Sequence, residues 1–162
     1  MQNPPPIPEL LAELARFSTV VQQTLTAENI DWQRRQQPRQ WSLTEVMCHL
    51  RDVEREVHQA RFQTLLVRDG AFLAGAISDD WAEERDYQRQ NGRQALTDFL
   101  AARRETVELL QNLDDALWQR QGNHAFFGQT TMHELLYLVV QHDRGHGQQI
   151  TELVKLLPNQ LA

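Results

Sequence analysis

The sequence predicts an all-α protein, an antiparallel four-helix bundle that forms one domain over residues 1–162. Three observations support this fold class. Four long segments place apolar residues at helical spacings of three and four, and two of these segments begin with a capping box. No segment shows the apolar–polar alternation that is typical of a β-strand. Four amphipathic helices, each with one apolar stripe, bury those stripes most simply in a bundle.

The first predicted helix extends from about Glu9 to Glu28. Pro8 lies just before it, where the missing N–H of a proline removes no hydrogen bond. We expect residues 1–8 to form a flexible leader. The apolar residues of the helix recur at spacings of three and four, namely Leu10, Leu14, Phe17, Val21 and Leu25.

The second predicted helix begins after Trp41 and runs to about Arg68. Ser42 and Glu45 form a capping box at its start, in which each side chain accepts a hydrogen bond from the other residue's backbone N–H. The apolar face of this helix consists of Leu43, Val46, Leu50, Val53 and Val57.

The third predicted helix extends from about Gln94 to Leu113 and follows an Asn-Gly break in the chain. Its apolar residues are Leu96, Leu100, Val107 and Leu110. The fourth helix begins at a second capping box, formed by Thr131 and Glu134, and ends before Pro158.

Two connections, residues 70–91 and 114–130, are longer than a minimal bundle needs. The second connection has room for a short helix. Loops of this length in a compact domain often line a functional site. Their aromatic residues could equally cap the ends of the core, and the sequence leaves both interpretations open.

Composition excludes several classes of protein. The net charge of −6 argues against nonspecific nucleic-acid binding and attachment to anionic membranes. The pairs Arg34-Arg35 and Arg103-Arg104 are interpreted as solvated helix surface. No apolar run reaches the about 18 residues of a membrane span. A single cysteine, Cys48, excludes an internal disulfide and, with no secretion signal visible, favours a cytoplasmic protein.

His142 and His146 are the most informative residues of the chain. They lie four apart in the fourth predicted helix and therefore share one face. That face is the apolar one, because six apolar residues fall within about 80° of His142: Leu135, Leu138, Val139, Ile150, Leu153 and Leu157. Two neutral imidazoles facing the core can be satisfied by a metal ion, although hydrogen-bonded core histidines are the alternative.

A reactive metal centre normally needs a third protein ligand. His49 is the best candidate, because it lies between the apolar face and the acidic stripe of the second helix. His58 is nine residues further along, about 180° around a regular helix, and is predicted to face solvent. His133 is equally far around from His142. The position of His124 in a connection cannot be judged from spacing.

Three stretches of the chain resemble the DinB/YfiT-like superfamily of metal-dependent four-helix proteins. They are Trp41–Glu54 (WSLTEVMCHLRDVE), Phe127–Leu136 (FGQTTMHELL) and Gln141–Ile150 (QHDRGHGQQI). The histidine pattern that carries the resemblance is one histidine early in the second helix and a His-x-x-x-His pair in the last helix. The resemblance covers nearly the whole chain.

That resemblance implies a divalent metal held by His49, His142 and His146, with zinc or nickel expected first and iron or manganese next. It also implies a homodimer. Characterised members of the family include thiol-dependent transferases and a mycothiol-dependent maleylpyruvate isomerase, so a low-molecular-weight thiol is expected as a cosubstrate. Catalytic residues other than the metal ligands are not implied, and the substrate is an unidentified small molecule.

Several neighbouring side chains have two interpretations. Asp143 could orient a histidine ligand or pair with an arginine of another helix. Gln149 could hydrogen-bond at the metal site or simply in the core. Glu45 could act beside His49, although its capping box already explains it. Cys48 points about 100° away from His49 and is predicted to be an ordinary thiol.

Two functions remain at this point. One is a metalloenzyme, either a thiol-dependent transferase or a hydrolase, in which the ion lowers the pKa of a bound water or thiol. The other is a stress-associated binding or scaffold protein in which a metal, if present, only holds the helices together.

Overall fold

A computed structural model describes residues 3–26 and 29–155. Four helical rods make up most of it: α1 (Ile7–Thr24), a second rod over residues 43–67, α5 (Gly92–Gln111) and α7 (Met132–Lys155). The second rod is continuous but not uniform, since α2 (Leu43–Val53) passes through a π-helical turn (Glu54–His58) into α3 (Gln59–Val67). The predicted all-α four-helix bundle is confirmed.

The helix boundaries agree with the prediction to within a few residues. Both capping boxes are present, one between Ser42 and Glu45 and the other between Thr131 and Glu134. Helix α1 begins at Ile7, so the last two residues of the predicted leader belong to it. Helix α1 ends at Thr24, four residues before the predicted end at Glu28. The predicted end of the last helix, beyond residue 155, lies outside the described residues.

A small sheet, which no alternation in the sequence indicated, accompanies the helices. Strands β1 (Phe72–Leu73), β2 (Gln121–His124) and β3 (Gly128–Thr131) form a small sheet in the order β1-β2-β3, with β1 parallel and β3 antiparallel to β2. All three lie in the two long connections, which also contain the short helices α4 (Trp81–Glu84) and α6 (Asp115–Trp118). Strands of two to four residues with few apolar side chains are too short to produce a detectable alternation.

The rods run in two directions. Helix α1 is parallel to α7. Glu13 of α1 pairs with Arg144 of α7, and further along both helices Phe17 lies beside Gly147. The second rod is parallel to α5, since Thr44 packs against Gly92 and Gln59 bonds to the carbonyl of Ala102. The connection over residues 68–91 therefore returns the chain along the length of the bundle.

The core consists of two apolar clusters, one at each end of the bundle. One contains Leu25, Met47, Phe99 and Ile150, and the other contains Leu10, Phe62, Leu110 and Leu136. Because Phe62 near the end of the second rod packs with the start of α7, these two rods are antiparallel. Residues near the start of α2 are consequently brought beside the second half of α7. No helix in the described part of the chain is long and apolar enough to cross a membrane.

Candidate metal centre

His49, His142 and His146 come together where α2 packs against α7. One nitrogen from each ring can be chosen so that the three atoms lie within 4.8 Å of one another. The Nε2 atoms of His49 and His142 are 3.2 Å apart. His49 is buried, and the other two rings are partly exposed. The structure thus places together the three histidines that the sequence selected.

The number and type of these side chains suit a divalent metal ion, and one of their separations matches it closely. Zinc–nitrogen bonds measure about 2.0–2.1 Å, so two nitrogens on one tetrahedral zinc lie about 3.3–3.4 Å apart. The separation of 3.2 Å between the nitrogens of His49 and His142 is close to that value. Three neutral imidazoles suit zinc, nickel, copper and iron. Within residues 3–26 and 29–155, no fourth histidine, cysteine or carboxylate joins the group.

The environment keeps the three rings neutral, as metal binding requires. Burial, reinforced by the nearby rings of His146 and His142, lowers the pKa of His49 to about 3. Burial and the proximity of His142 lower the pKa of His146 to about 4. Burial also lowers the pKa of His142, and its effect outweighs the opposing carboxylate of Asp143. All three rings therefore keep their lone pairs at neutral pH.

Gln149 and Trp41 hold the ring of His146 in place. The Nδ1–H of His146 donates to the Oε1 of Gln149 at 2.9 Å, which leaves the Nε2 lone pair free for the site. Trp41 stacks parallel to His146, with ring centroids 6.3 Å apart, and also contacts His49. Of the two interpretations of Gln149, the structure shows the hydrogen bond to a histidine of the cluster.

Asp143 and Glu45 take part in ion pairs. Asp143 accepts two hydrogen bonds from Arg103, and its Oδ1 lies 3.9 Å from Nδ1 of His142. Glu45 accepts from the N–H of Ser42 and binds the guanidinium of Arg35, so its capping box and this pair account for it. The predicted ion pair of Asp143 is present, and its carboxylate also lies within electrostatic reach of one of the three histidines.

The prediction that His58 faces solvent is wrong. Its side chain is buried, its Nδ1 lies 3.1 Å from a carboxylate oxygen of Glu54, and its ring packs edge-on against His142. The π-helical turn contains one residue more than a regular helical turn, so His49 and His58 lie about 80° apart instead of about 180°. Both rings can therefore face the core.

The prediction that Arg103 is solvated is also wrong. Arg103 is 1 % exposed and binds Glu54 and Asp143, which connects the π-helical turn to α7. Its position three residues after Leu100 and four before Val107 places it in phase with the apolar stripe of α5. That phase is the signal by which the sequence could have revealed a buried arginine. No pattern reveals the π-helical turn itself.

The remaining candidates lie away from the cluster. His133 donates to the backbone carbonyl of Pro5, as expected for a ring on the opposite side of α7. His124 is buried in β2. Cys48 is buried, and burial raises the pKa of its thiol to about 11, as expected for a thiol without a special role.

Comparison with known proteins decides the family. The sequence profile of the DinB superfamily matches residues 23–150, which include all three histidines of the cluster. The chain belongs to the DinB superfamily. Among solved structures, this DinB protein is similar to YfiT from Bacillus subtilis, described as a probable metal-dependent hydrolase with an unusual four-helix bundle topology. The two chains are 20 % identical, with a TM-score of 0.79 over 91 % of this chain and 85 % of YfiT.

No curated protein matches this DinB chain. At 20 % identity, the likeness to YfiT establishes the fold alone. The chemistry of the site must therefore be inferred from its own residues.

Two cavities border the histidines of this DinB protein from different sides. One, of about 240 Å³, is lined by His142 and His58 and is otherwise mostly apolar. The other, of about 480 Å³, is lined by Trp41, His146 and Gln149 together with polar side chains. A small molecule can therefore reach the cluster from either side.

Proposed function

We propose that this DinB protein is a hydrolase that binds one divalent metal ion through His49, His142 and His146 and acts on a small molecule. The observation that carries the proposal is the set of three neutral imidazoles bordered by open cavities. A divalent ion held there would act as a Lewis acid and would lower the pKa of a water molecule that reaches it. Zinc or nickel is expected first, with iron or manganese next.

The residues around the cluster support a catalytic site more than a purely structural one. A structural zinc site is normally closed by four protein ligands, whereas a catalytic site has three and an open position. In the described part of the chain, the cluster has three members and cavities on two sides. The scaffold protein with a structural metal is therefore the weaker candidate.

The second candidate is a thiol-dependent transferase, and the second cavity favours it. A transfer reaction needs room for two reactants at one centre. The cavity of about 480 Å³ beside His146 could hold a thiol cosubstrate while the smaller cavity beside His142 holds the acceptor. The homodimer and the cytoplasmic location implied by the sequence stay predictions.

Metal analysis tests the site. Untagged wild-type protein is expected to contain about one ion per chain, and His142→Ala is expected to lose it. His133→Ala is the matched control, because it removes a histidine of the same helix whose ring binds the carbonyl of Pro5 instead. Wild-type protein without stoichiometric metal, or His142→Ala with as much metal as wild type, would contradict the proposal.

Activity measurements then distinguish the two reactions. Small esters and amides are assayed with and without a low-molecular-weight thiol, before and after removal of the metal by a chelator. Hydrolysis that needs the metal but no thiol supports the hydrolase, and turnover that needs both supports the transferase. Full metal occupancy without turnover, together with a large loss of thermal stability on chelation, would favour a structural role for the ion.

A further inference from the structure

The smaller cavity beside the histidine cluster has an apolar body. Valines 53, 57 and 139 and Leu135 form much of its wall, and the rings of Phe126 and Phe127 lie at its edge, about half exposed to solvent. Its volume is about 240 Å³. A cavity of about 150 Å³ already accommodates benzene, so this one has room for a single ring with one or two substituents.

One permanently charged side chain lines this cavity. Arg61 in α3 donates from Nε and Nη2 to the backbone carbonyl of Ala74, at 3.3 and 2.9 Å. These two bonds fix one edge of the guanidinium and leave Nη1 directed away from that carbonyl. In residues 3–26 and 29–155, no carboxylate pairs with Arg61, and no aspartate or glutamate lines the cavity.

Arg61 is only partly exposed and has no carboxylate partner among the described residues, so a carboxylate that entered the cavity would supply one. Burial lowers the pKa of Arg61, with no neighbouring carboxylate to oppose it. The other arginines of the described chain that are comparably buried, Arg51 and Arg103, both have carboxylate partners. Arg61 and Arg120 differ from these two, because among the described residues each bonds only to backbone carbonyls, and of the two only Arg61 lines this cavity.

His124 adds a second donor to the same wall. It is 2 % exposed, and its Nδ1 accepts a hydrogen bond from the backbone N–H of Phe126 at 3.1 Å. The neutral ring therefore carries its hydrogen on Nε2, which has no hydrogen-bond partner among the described residues. His124 and Arg61 line the same cavity, and burial together with the positive charge of Arg61 lowers the pKa of His124.

We infer that this cavity binds a small organic carboxylate, with the carboxylate at Arg61 and the apolar body against the valine and leucine wall. A guanidinium recognises the planar carboxylate through charge-assisted hydrogen bonds. His142 lies in the same cavity, so the bound molecule extends toward the histidine cluster. This inference rests on the proposed function in one respect only, namely that the occupant of the cavity is the substrate.

Carboxylate binding can be tested without knowledge of the natural substrate. Benzoate is the probe, and benzyl alcohol is its neutral counterpart of similar size. Binding of both to the full-length protein is measured by ligand-observed NMR titration, as purified and again after chelation. The chelated sample is essential because a carboxylate could also bind a metal ion.

Arg61→Gln removes the positive charge and keeps an N–H that can donate to the carbonyl of Ala74. Arg68→Gln is the matched control. Arg68 is exposed near the end of the same rod and does not line the cavity. Arg61→Gln is expected to weaken benzoate binding by about tenfold or more in both samples, with little change for benzyl alcohol. Arg68→Gln is expected to bind both probes as wild type does, and Leu138→Trp, which fills the cavity, is expected to bind neither.

Several outcomes would overturn the inference. They are no benzoate binding by wild type, equal benzoate affinity for wild type and Arg61→Gln, and wild-type binding that disappears on chelation. The last outcome would place the carboxylate on the metal. A protein that contains no metal but shows the Arg61 effect would refute the proposed hydrolase and leave the carboxylate site intact.

Discussion

The ring of His58 packs edge-on against the ring of His142, with centroids 5.2 Å apart and an interplanar angle of 87°. This contact exists because the π-helical turn over Glu54–His58 rotates the rest of the second rod toward α7. π-Helical turns inside α-helices are rare and often occur at functional sites. Here the turn places Glu54 and His58 between the histidine cluster and the buried Arg103.

Gln149 is expected to tune metal affinity. Gln149→Leu removes the acceptor that fixes the Nδ1–H of His146 and so frees the ring to rotate away from the site. Loss of such a hydrogen bond to a ligand typically costs about 10–100-fold in metal affinity. The affinity is measured by competition with a chelator of known strength. Gln148→Leu, at the exposed neighbouring position, is the control and is expected to bind as wild type does.

Metal binding is expected to release few protons at pH 6. Histidines with an ordinary pKa of about 6.5 would together release about two protons at this pH when three of them bind an ion. The pKa of His49 is lowered to about 3 and that of His146 to about 4, so these rings are already neutral at pH 6. Titration calorimetry in buffers of different ionisation enthalpy counts the protons, and a release of two or more would contradict the lowered values.

The ion pairs of Arg103 are expected to be essential for stability. Arg103→Met would leave Glu54 and Asp143 buried without their cation, and breaking a buried pair in this way costs about 3–5 kcal/mol. Urea denaturation measures the loss in free energy of unfolding. Arg104→Met, at the exposed next position of α5, is expected to change it by less than about 0.5 kcal/mol. Equal stability of the two variants would refute the structural role of the buried network.

The same network predicts how stability depends on pH. Burial alone would raise the pKa of Glu54 and Asp143, but Arg103 outweighs it and holds both below their ordinary values of 4.5 and 3.8. Groups with a lowered folded pKa add stability that is complete above their unfolded pKa and is lost as the pH falls toward the folded one. The free energy of unfolding of the wild-type protein is therefore expected to decrease as the pH is lowered beyond about 4.5. Over the same pH range, the difference in free energy of unfolding between wild type and Arg103→Met should become smaller. A difference that does not change with pH would argue against the ion pairs of Arg103 as the cause.

Two glycines are expected to respond in opposite directions to alanine. At Gly92, where α5 begins, an added Cβ would lie 2.5 Å from the ring of Trp32 and 3.0 Å from the Cα of Thr44. Such overpacking typically costs about 1–3 kcal/mol. At the exposed Gly145 in α7, a Cβ would contact nothing within 4 Å, so alanine should stabilise the helix by about 0.5–1 kcal/mol. Thermal or urea unfolding measures the change in free energy of unfolding for both variants. Stabilisation by Gly92→Ala would show that there is room for a methyl group between Gly92 and its neighbours Trp32 and Thr44.

The helical part of the fold could be predicted because its signals are local. The capping box of Ser42 and Glu45 marks the start of the second rod, and the apolar stripe that follows it is buried, although most other residues of α2 are buried as well. The small sheet could not be predicted in this way. Strand β1 pairs with β2 about fifty residues further along the chain, and such a pairing leaves no periodic pattern in either short segment.

By itself, the sequence determined four helices with apolar stripes. The phase of a regular helix placed His49, His142 and His146 toward the core, although the same phase wrongly turned His58 toward solvent. These features depend on spacings of a few residues, and helical geometry converts such a spacing into the direction in which each side chain points. Only the tertiary structure decided that Arg103 is buried between two carboxylates and that His58 reaches the site. The contact of His58 depends on the irregular turn at Glu54–His58, which no local spacing specifies. The phase of Arg103 in α5 indicates its buried side, but its two carboxylate partners come from rods distant in sequence.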